Sequence, residues 1–217
     1  MLFQIPDVLS GEELSQVQAA LAQAEFVDGK LTAGWYAKSV KHNQQLKGKA
    51  AQDVRNLIRE ALTRHPLFQA AVRPKQVHSL LVSRYEVGME YGRHVDNALM
   101  GSLRSDVSFT VFLSEPTDYS GGELVIEGAD AEQSYKLAAG QAIVYPSSTL
   151  HRVDPVTQGT RLVAVGWIQS WIRDAAQREL LFDLDTVRRS LYHQSGKTNE
   201  FDLLSKSLAN LLRRWVE

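Results

Sequence analysis

His94-Val95-Asp96 sets an imidazole and a carboxylate two residues apart, and in extended backbone alternate side chains leave the chain on one face. The pair reads as a two-ligand arm for a metal ion or as ordinary polar neighbours on a surface. His151 follows the apolar run Ile143-Val144-Tyr145-Pro146 and the polar corner Ser147-Ser148-Thr149. A lone histidine there is usually structural, but an antiparallel double sheet can return its strand to the neighbourhood of the first pair. Two imidazoles and one carboxylate on one face would bind Fe(II) and leave three adjacent coordination positions open. The bound iron would keep a net positive charge, suited to an anionic chelating cosubstrate and then to dioxygen.

Arg161 lies ten residues beyond His151, across a turn that contains Asp154-Pro155 and Gln158-Gly159. Ten extended residues would span roughly 33 Å, so the turn is what can bring Arg161 back beside the metal. In a strand, Arg161 shares a face with Val163, Val165 and Trp167, which puts a permanent cation in an apolar row. Such a guanidinium needs an anion, either a structural Asp or Glu or the carboxylate of a bound molecule. Tyr85 ends the run Leu80-Leu81-Val82-Ser83-Arg84 and can add a phenolic hydrogen bond to the same carboxylate, while Tyr91 precedes His94 by three residues. Either tyrosine can instead be core.

The elements that must position these residues follow from periodicity. Ser10-Gly11-Glu12-Glu13 is a capping box that opens a helix with Leu14, Val17, Leu21 and Ala24 on one face. A second helix is expected from Gln52 to Thr63, ending by His65 because Pro66 disfavours helix before it. From Gln76 the pattern changes to runs rich in β-branched and aromatic residues at 78–85, 106–113, 123–127, 141–145 and 161–167, separated by turns too short for crossover helices. That predicts an α+β chain with a double-stranded β-helix, or jelly roll, as its core. After Trp171, Leu180, Leu181, Leu184, Val187 and Leu191 mark a helix, Ser195-Gly196 a break, and Phe201 to Trp215 a last amphipathic helix. The expected organisation is a mainly helical region over 1–75 packed on the barrel, the jelly roll over 76–170, and a helical extension over 171–217. The last apolar stripe packs on its own chain or forms a homo-oligomer interface.

Composition narrows the function classes. The 24 Lys and Arg against 25 Asp and Glu give no positive field for nucleic acid or anionic lipid. Cysteine is absent, which removes disulfides, thiolate zinc sites, iron–sulfur clusters and cysteine nucleophiles, so any metal must be held by nitrogen and oxygen. With no basic leader before an apolar run and no run of about eighteen apolar residues, a cytoplasmic protein with no membrane span is expected.

The segments Tyr85-Glu86-Val87-Gly88-Met89-Glu90-Tyr91-Gly92-Arg93-His94-Val95-Asp96-Asn97, Gly121-Gly122-Glu123-Leu124, Tyr145 to Val153, and Arg161 resemble the Fe(II)- and 2-oxoglutarate-dependent dioxygenases of the prolyl hydroxylase type. Throughout its length, helical ends included, the chain is similar to the bacterial PKHD-type hydroxylases, a group often associated with iron uptake and iron homeostasis. The resemblance implies that His94, Asp96 and His151 are the iron ligands, that Arg161 anchors the distal carboxylate of 2-oxoglutarate, and that Tyr85 touches the same cosubstrate. It further implies hydroxylation of an unactivated C–H bond by dioxygen, decarboxylation of 2-oxoglutarate to succinate, and L-ascorbate (vitamin C) as accessory reductant. The substrate, peptide or small molecule, is not legible. The rival readings are a non-catalytic iron-sensing or metal-binding jelly roll, which would not need Arg161, and a zinc or manganese hydrolase or isomerase of cupin type. Lys38, Lys41, Gln44, Asn97 and Arg104 border the expected substrate entrance or are solvated loop residues.

Overall fold

A computed structural model of the chain describes residues 2–32, 34 and 37–217. In chain order its first strands are β1 (Phe3–Ile5), β2 (Phe26–Asp28), β3 (Lys41–His42), β4 (Gln44–Leu46), β5 (Pro74–Tyr85), β6 (Glu90–His94), β7 (Leu99–Met100) and β8 (Leu103–Arg104). They continue as β9 (Val107–Phe112), β10 (Tyr119–Gly121), β11 (Leu124–Glu127), β12 (Glu132–Tyr135), β13 (Ala142–Pro146), β14 (His151–Val153), β15 (Val156–Gly159) and β16 (Arg161–Ser170). The helices are α1 (Gly11–Ala22), α2 (Lys49–Arg64), α3 (Pro66–Val72), α4 (Ala175–Ser195) and α5 (Asn199–Trp215).

Two antiparallel sheets form the jelly roll that the sequence predicts. The larger has the order β1-β13-β9-β16-β5-β4-β2 and the smaller β12-β11-β14-β6-β3. The central strands of the larger sheet are buried on both faces, which is why they read as near-continuous apolar runs. Val107, Phe109 and Val111 of β9, Leu80 and Val82 of β5, and Ala164 and Ile168 of β16 pack outward against Val17, Leu21, Val54, Ile58, Leu62 and Phe68. The alternate residues Phe112, Tyr85, Val163, Ile143 and Tyr145 point between the sheets, where they meet Leu124, Ile126 and Val153 of the smaller one. Each fully buried aliphatic or aromatic side chain contributes about 2 kcal/mol, so this shared wall is what holds the barrel rigid around its inner face.

The capping box at α1 is present, Ser10 accepting from the Glu13 N–H and Glu13 reaching back to the Ser10 N–H. Helices predominate before β5, yet this region also gives four short strands, β1 to β4, to the two sheets. Strands of two or three residues are too short to show a period of two, so pairing with distant partners decides them. Pro66 ends one helix and begins the next, because its fixed φ and missing N–H suit the first helical position of α3. Between β3, at the edge of the smaller sheet, and β4, between β5 and the edge strand β2 of the larger, the chain passes from one sheet to the other and so closes one side of the barrel. At the other end of the chain α4 and α5 form a hairpin around Ile172, Leu181 and Leu208.

Candidate active site

β14 lies beside β6 with His151 opposite His94, and their rings are 4.3 Å apart between centroids. Asp96 follows the end of β6 by two residues, and its carboxylate comes to the same point as the His94 ring. One ligand atom each from His94, Asp96 and His151 lies within 4.8 Å of the others, and His151 Nε2 is 3.8 Å from Asp96 Oδ2. The three expected ligands are thus brought together in the barrel.

Their surroundings prepare them for a cation. His94 Nδ1 donates to the Gly92 carbonyl at 2.8 Å and His151 Nδ1 to the Thr149 carbonyl at 3.0 Å. A carbonyl can only accept, so both rings carry their proton on Nδ1 and present the Nε2 lone pair. Burial, assisted by the neighbouring His151, pulls His94 down to about 4, which keeps it neutral near pH 7. Tyr91 stacks on His94 at 3.7 Å and Tyr145 meets the His151 ring edge-on at 5.1 Å, fixing both planes. Ser108 Oγ donates to Asp96 Oδ2 at 2.6 Å and lies 2.8 Å from Ser147 Oγ, so the carboxylate is held in one orientation beside His151. Two neutral imidazoles and one oriented carboxylate fit a divalent iron.

Arg161 begins β16 directly across from Tyr85 on β5. Its side chain is 1% exposed, with the guanidinium 5.0 Å from the Tyr85 ring and 5.8 Å from the Phe112 ring. Nε and Nη1 have no hydrogen-bond partner among the described residues, no Asp or Glu pairs with the group among them, and the Tyr119 hydroxyl is its polar neighbour. The structural salt bridge that the sequence leaves open is therefore not found there. Gly122, at φ +69°, passes so close that a Cβ would meet Arg161 Cδ at 3.0 Å. Burial raises the Tyr85 hydroxyl, while the Arg161 charge and a hydrogen bond from Asn43 oppose it.

The three ligands, Arg161, Tyr85, Tyr91, Tyr145, Ser108 and Asn43 line one pocket of about 550 Å³, measured with its open mouth. Of the residues expected near the entrance, Lys41 lines this pocket. Asn97 belongs to an adjoining depression with Thr32 and Trp167. Gln44 is taken up by Arg84, Arg104 by Asp106 and the Ser170 carbonyl, and Lys38 is exposed. Sequence reasoning missed Asn43, Ser108, Thr110 and Tyr145 in the lining; the polar residues Ser108 and Thr110, two apart inside the apolar run of β9, were the readable signal.

Comparison with known proteins agrees with this geometry. Residues 80–169 match the model of the 2OG-Fe(II) oxygenase superfamily, and residues 175–217 that of the PKHD-type hydroxylase C-terminal domain. Among solved structures, a 2OG-Fe(II) oxygenase family oxidoreductase from Burkholderia pseudomallei superposes with TM-score 0.57 at 18% identity, over 77% of this chain and 84% of that one. A prolyl hydroxylase from Trichoplax adhaerens, in complex with a hypoxia inducible factor peptide fragment, gives 0.57 at 14% identity, over 77% and 83%. These likenesses define the fold class, an oxygenase jelly roll. PKHD-type hydroxylases of Picosynechococcus sp. and Gloeothece citriformis are 68% and 63% identical to it, each over 100% of both chains. The chain belongs to the PKHD-type hydroxylases, oxidoreductases of the 2OG-Fe(II) oxygenase family. That membership implies Fe(2+) and 2-oxoglutarate, with His94, Asp96 and His151 as the candidate iron site.

Proposed function

We propose that this protein hydroxylates an unactivated C–H bond of a peptidyl or small-molecule substrate, with His94, Asp96 and His151 as iron ligands and Arg161 as the anchor of 2-oxoglutarate. Ferrous iron held there supplies the redox chemistry that couples dioxygen and the decarboxylation of 2-oxoglutarate to succinate with that hydroxylation. The observation that carries the reading is Arg161: a buried guanidinium whose Nε and Nη1 have no partner among the described residues, in the same pocket as a three-ligand metal set. A metal-sensing or storage module would have no use for such a cation, whose burial costs several kcal/mol until an anion arrives.

In this reading the Arg161 guanidinium, two of whose nitrogens are unpaired among the described residues, binds the distal carboxylate, and Tyr85 packs against the guanidinium and offers its hydroxyl to the same group. His94 and His151 donate Nε2 to the metal while their Nδ1 protons stay on backbone carbonyls. Ser108 holds the Asp96 carboxylate in its ligating direction. The apolar lining, Leu81, Val153 and Val165 among it, keeps water from the reacting carbon. Ascorbate serves as accessory reductant and the physiological setting is cytoplasmic iron homeostasis, while the apolar stripe of α5 packs on α4 of its own chain. Among the described residues no helix is long and apolar enough to cross a membrane.

The test is anaerobic. Adding Fe(II) and 2-oxoglutarate to the wild type should give the weak visible metal-to-ligand band, and substituting Ala for His94, Asp96, His151 or Arg161 should abolish or strongly weaken it. A wild type without the band, or an Arg161→Ala protein with unchanged affinity, refutes the assignment.

A further inference from the structure

Lys41 is a cation that the reading above leaves without a task. It sits on β3 opposite Tyr91 of β6, is 5% exposed, and lines the pocket that holds the ligand set and Arg161. A surface lysine would extend its ammonium into water. This one instead lies 5.2 Å from the centre of the Tyr91 ring and donates to Thr32 Oγ1 at 3.2 Å. Thr32 Oγ1 itself donates to Gln45 Oε1 at 2.6 Å, so the partner is a neutral acceptor. Two carboxylates act on Lys41 from further away, Asp96 and Asp28. Asp96 belongs to the ligand set, and Asp28 is exposed and accepts from the Lys30 N–H, so neither forms an ion pair with it among the described residues.

Formal charges inside the loaded pocket sharpen the point. The two positive charges of ferrous iron less the Asp96 carboxylate leave one, Arg161 adds another, and doubly ionised 2-oxoglutarate cancels both. The Lys41 ammonium remains, and in a desolvated pocket an uncompensated charge is costly. Burial lowers Lys41 to about 8, so the ammonium form still prevails at neutral pH.

We propose, resting on the function proposed above, that Lys41 is a specificity-determining residue that pairs with a carboxylate on the substrate, so that the molecule hydroxylated is an acid with one negative charge close to the reacting carbon. The N-terminal crossing from β3 to β4 then supplies substrate selection to a site whose metal and cosubstrate groups come from residues 85–161.

The experiment uses full-length protein loaded with Mn(II) and saturating 2-oxoglutarate, and reads paramagnetic relaxation of probe protons by NMR. Two matched pairs serve as probes: butyrate against butyramide, and the blocked tripeptide N-acetyl-Ala-Glu-Ala-amide against its Gln counterpart. The proposal expects at least a tenfold affinity preference for the acid in one pair, which also tells whether a free acid or a peptidyl carboxylate is favoured. Lys41→Met should erase that preference, and Lys41→Arg should keep most of it. Equal affinities for acid and amide in both pairs overturn the proposal, as does a preference that survives in Lys41→Met. A more than fivefold loss of 2-oxoglutarate affinity in Lys41→Met also overturns it, since the charge would then serve the cosubstrate. Failure of the wild type to bind 2-oxoglutarate at all would overturn the proposed function together with this inference, whereas cosubstrate binding without acid preference overturns this inference alone.

Discussion

Replacing Arg161 by Met should make the unliganded protein more stable and nearly blind to 2-oxoglutarate. The methionine keeps an unbranched stem against Tyr85 and Phe112 and removes a buried cation whose Nε and Nη1 are unpaired among the described residues. Two unsatisfied buried donors cost about 2–4 kcal/mol, and the lost ring contacts and imperfect filling return part of this. A net gain of about 1–2 kcal/mol corresponds to a rise of roughly 2–8 °C in Tm for a chain of this size. On the binding side, truncating one partner of a buried charge pair costs about 2–5 kcal/mol, a drop of roughly 30-fold to several thousand-fold in affinity. In the wild type with Mn(II), 2-oxoglutarate at a hundred times its Kd should add about 2.7 kcal/mol; in Arg161→Met the same concentration should add about 0.9 kcal/mol or less. Differential scanning fluorimetry and calorimetric titration read both effects. The reasoning is refuted if Arg161→Met retains the full cosubstrate-induced shift, or if the unliganded variant loses more than about 2 kcal/mol, which would mean Arg161 has an internal partner that stabilises the fold.

Ser108→Ala should leave the fold intact and weaken metal binding about 10- to 100-fold, measured by competition with a chelator, because Asp96 loses the donor that orients it. Glu13→Gln should cost about 0.5–1 kcal/mol at neutral pH, a small figure because the paired Arg64 side chain is 53% exposed. The Arg64 guanidinium holds Glu13 down to about 2, so its contribution is full above the ordinary carboxylate value and fades as pH falls toward 2. Urea melts of wild type and variant should therefore differ at pH 7 and converge near pH 2. Leu181→Ala, at a fully buried position between α4 and α5, should cost about 2–5 kcal/mol in the same assay and leave 2-oxoglutarate affinity unchanged.

The legible part of the site is the part written in local geometry. His94 and Asp96 are two residues apart, a spacing that gives one face in extended backbone, so their nearness follows from the sequence. Arg161 stands out as a cation in an apolar row, and β16 places it as the row predicts. That His151 meets His94 depends on β14 pairing with β6 across more than fifty residues, which no local pattern encodes; a double sheet made it possible and the family resemblance implied it. That no carboxylate pairs with Arg161 among the described residues is a property of packing, invisible until the barrel is closed. Lys41 was visible as a polar residue near the entrance, but its burial depends on β3 and β4, strands too short to carry a period. Pro66 misled in one direction only: it marks the end of α2 correctly and conceals the start of α3.

The most direct measurement is a crystal structure of the protein with Mn(II) standing in for iron and with 2-oxoglutarate, grown without oxygen. The account predicts metal bonded to Nε2 of His94, Nε2 of His151 and one oxygen of Asp96, with the far carboxylate of the cosubstrate on Arg161. Metal bound elsewhere, or a cosubstrate whose far carboxylate avoids the guanidinium, would contradict it.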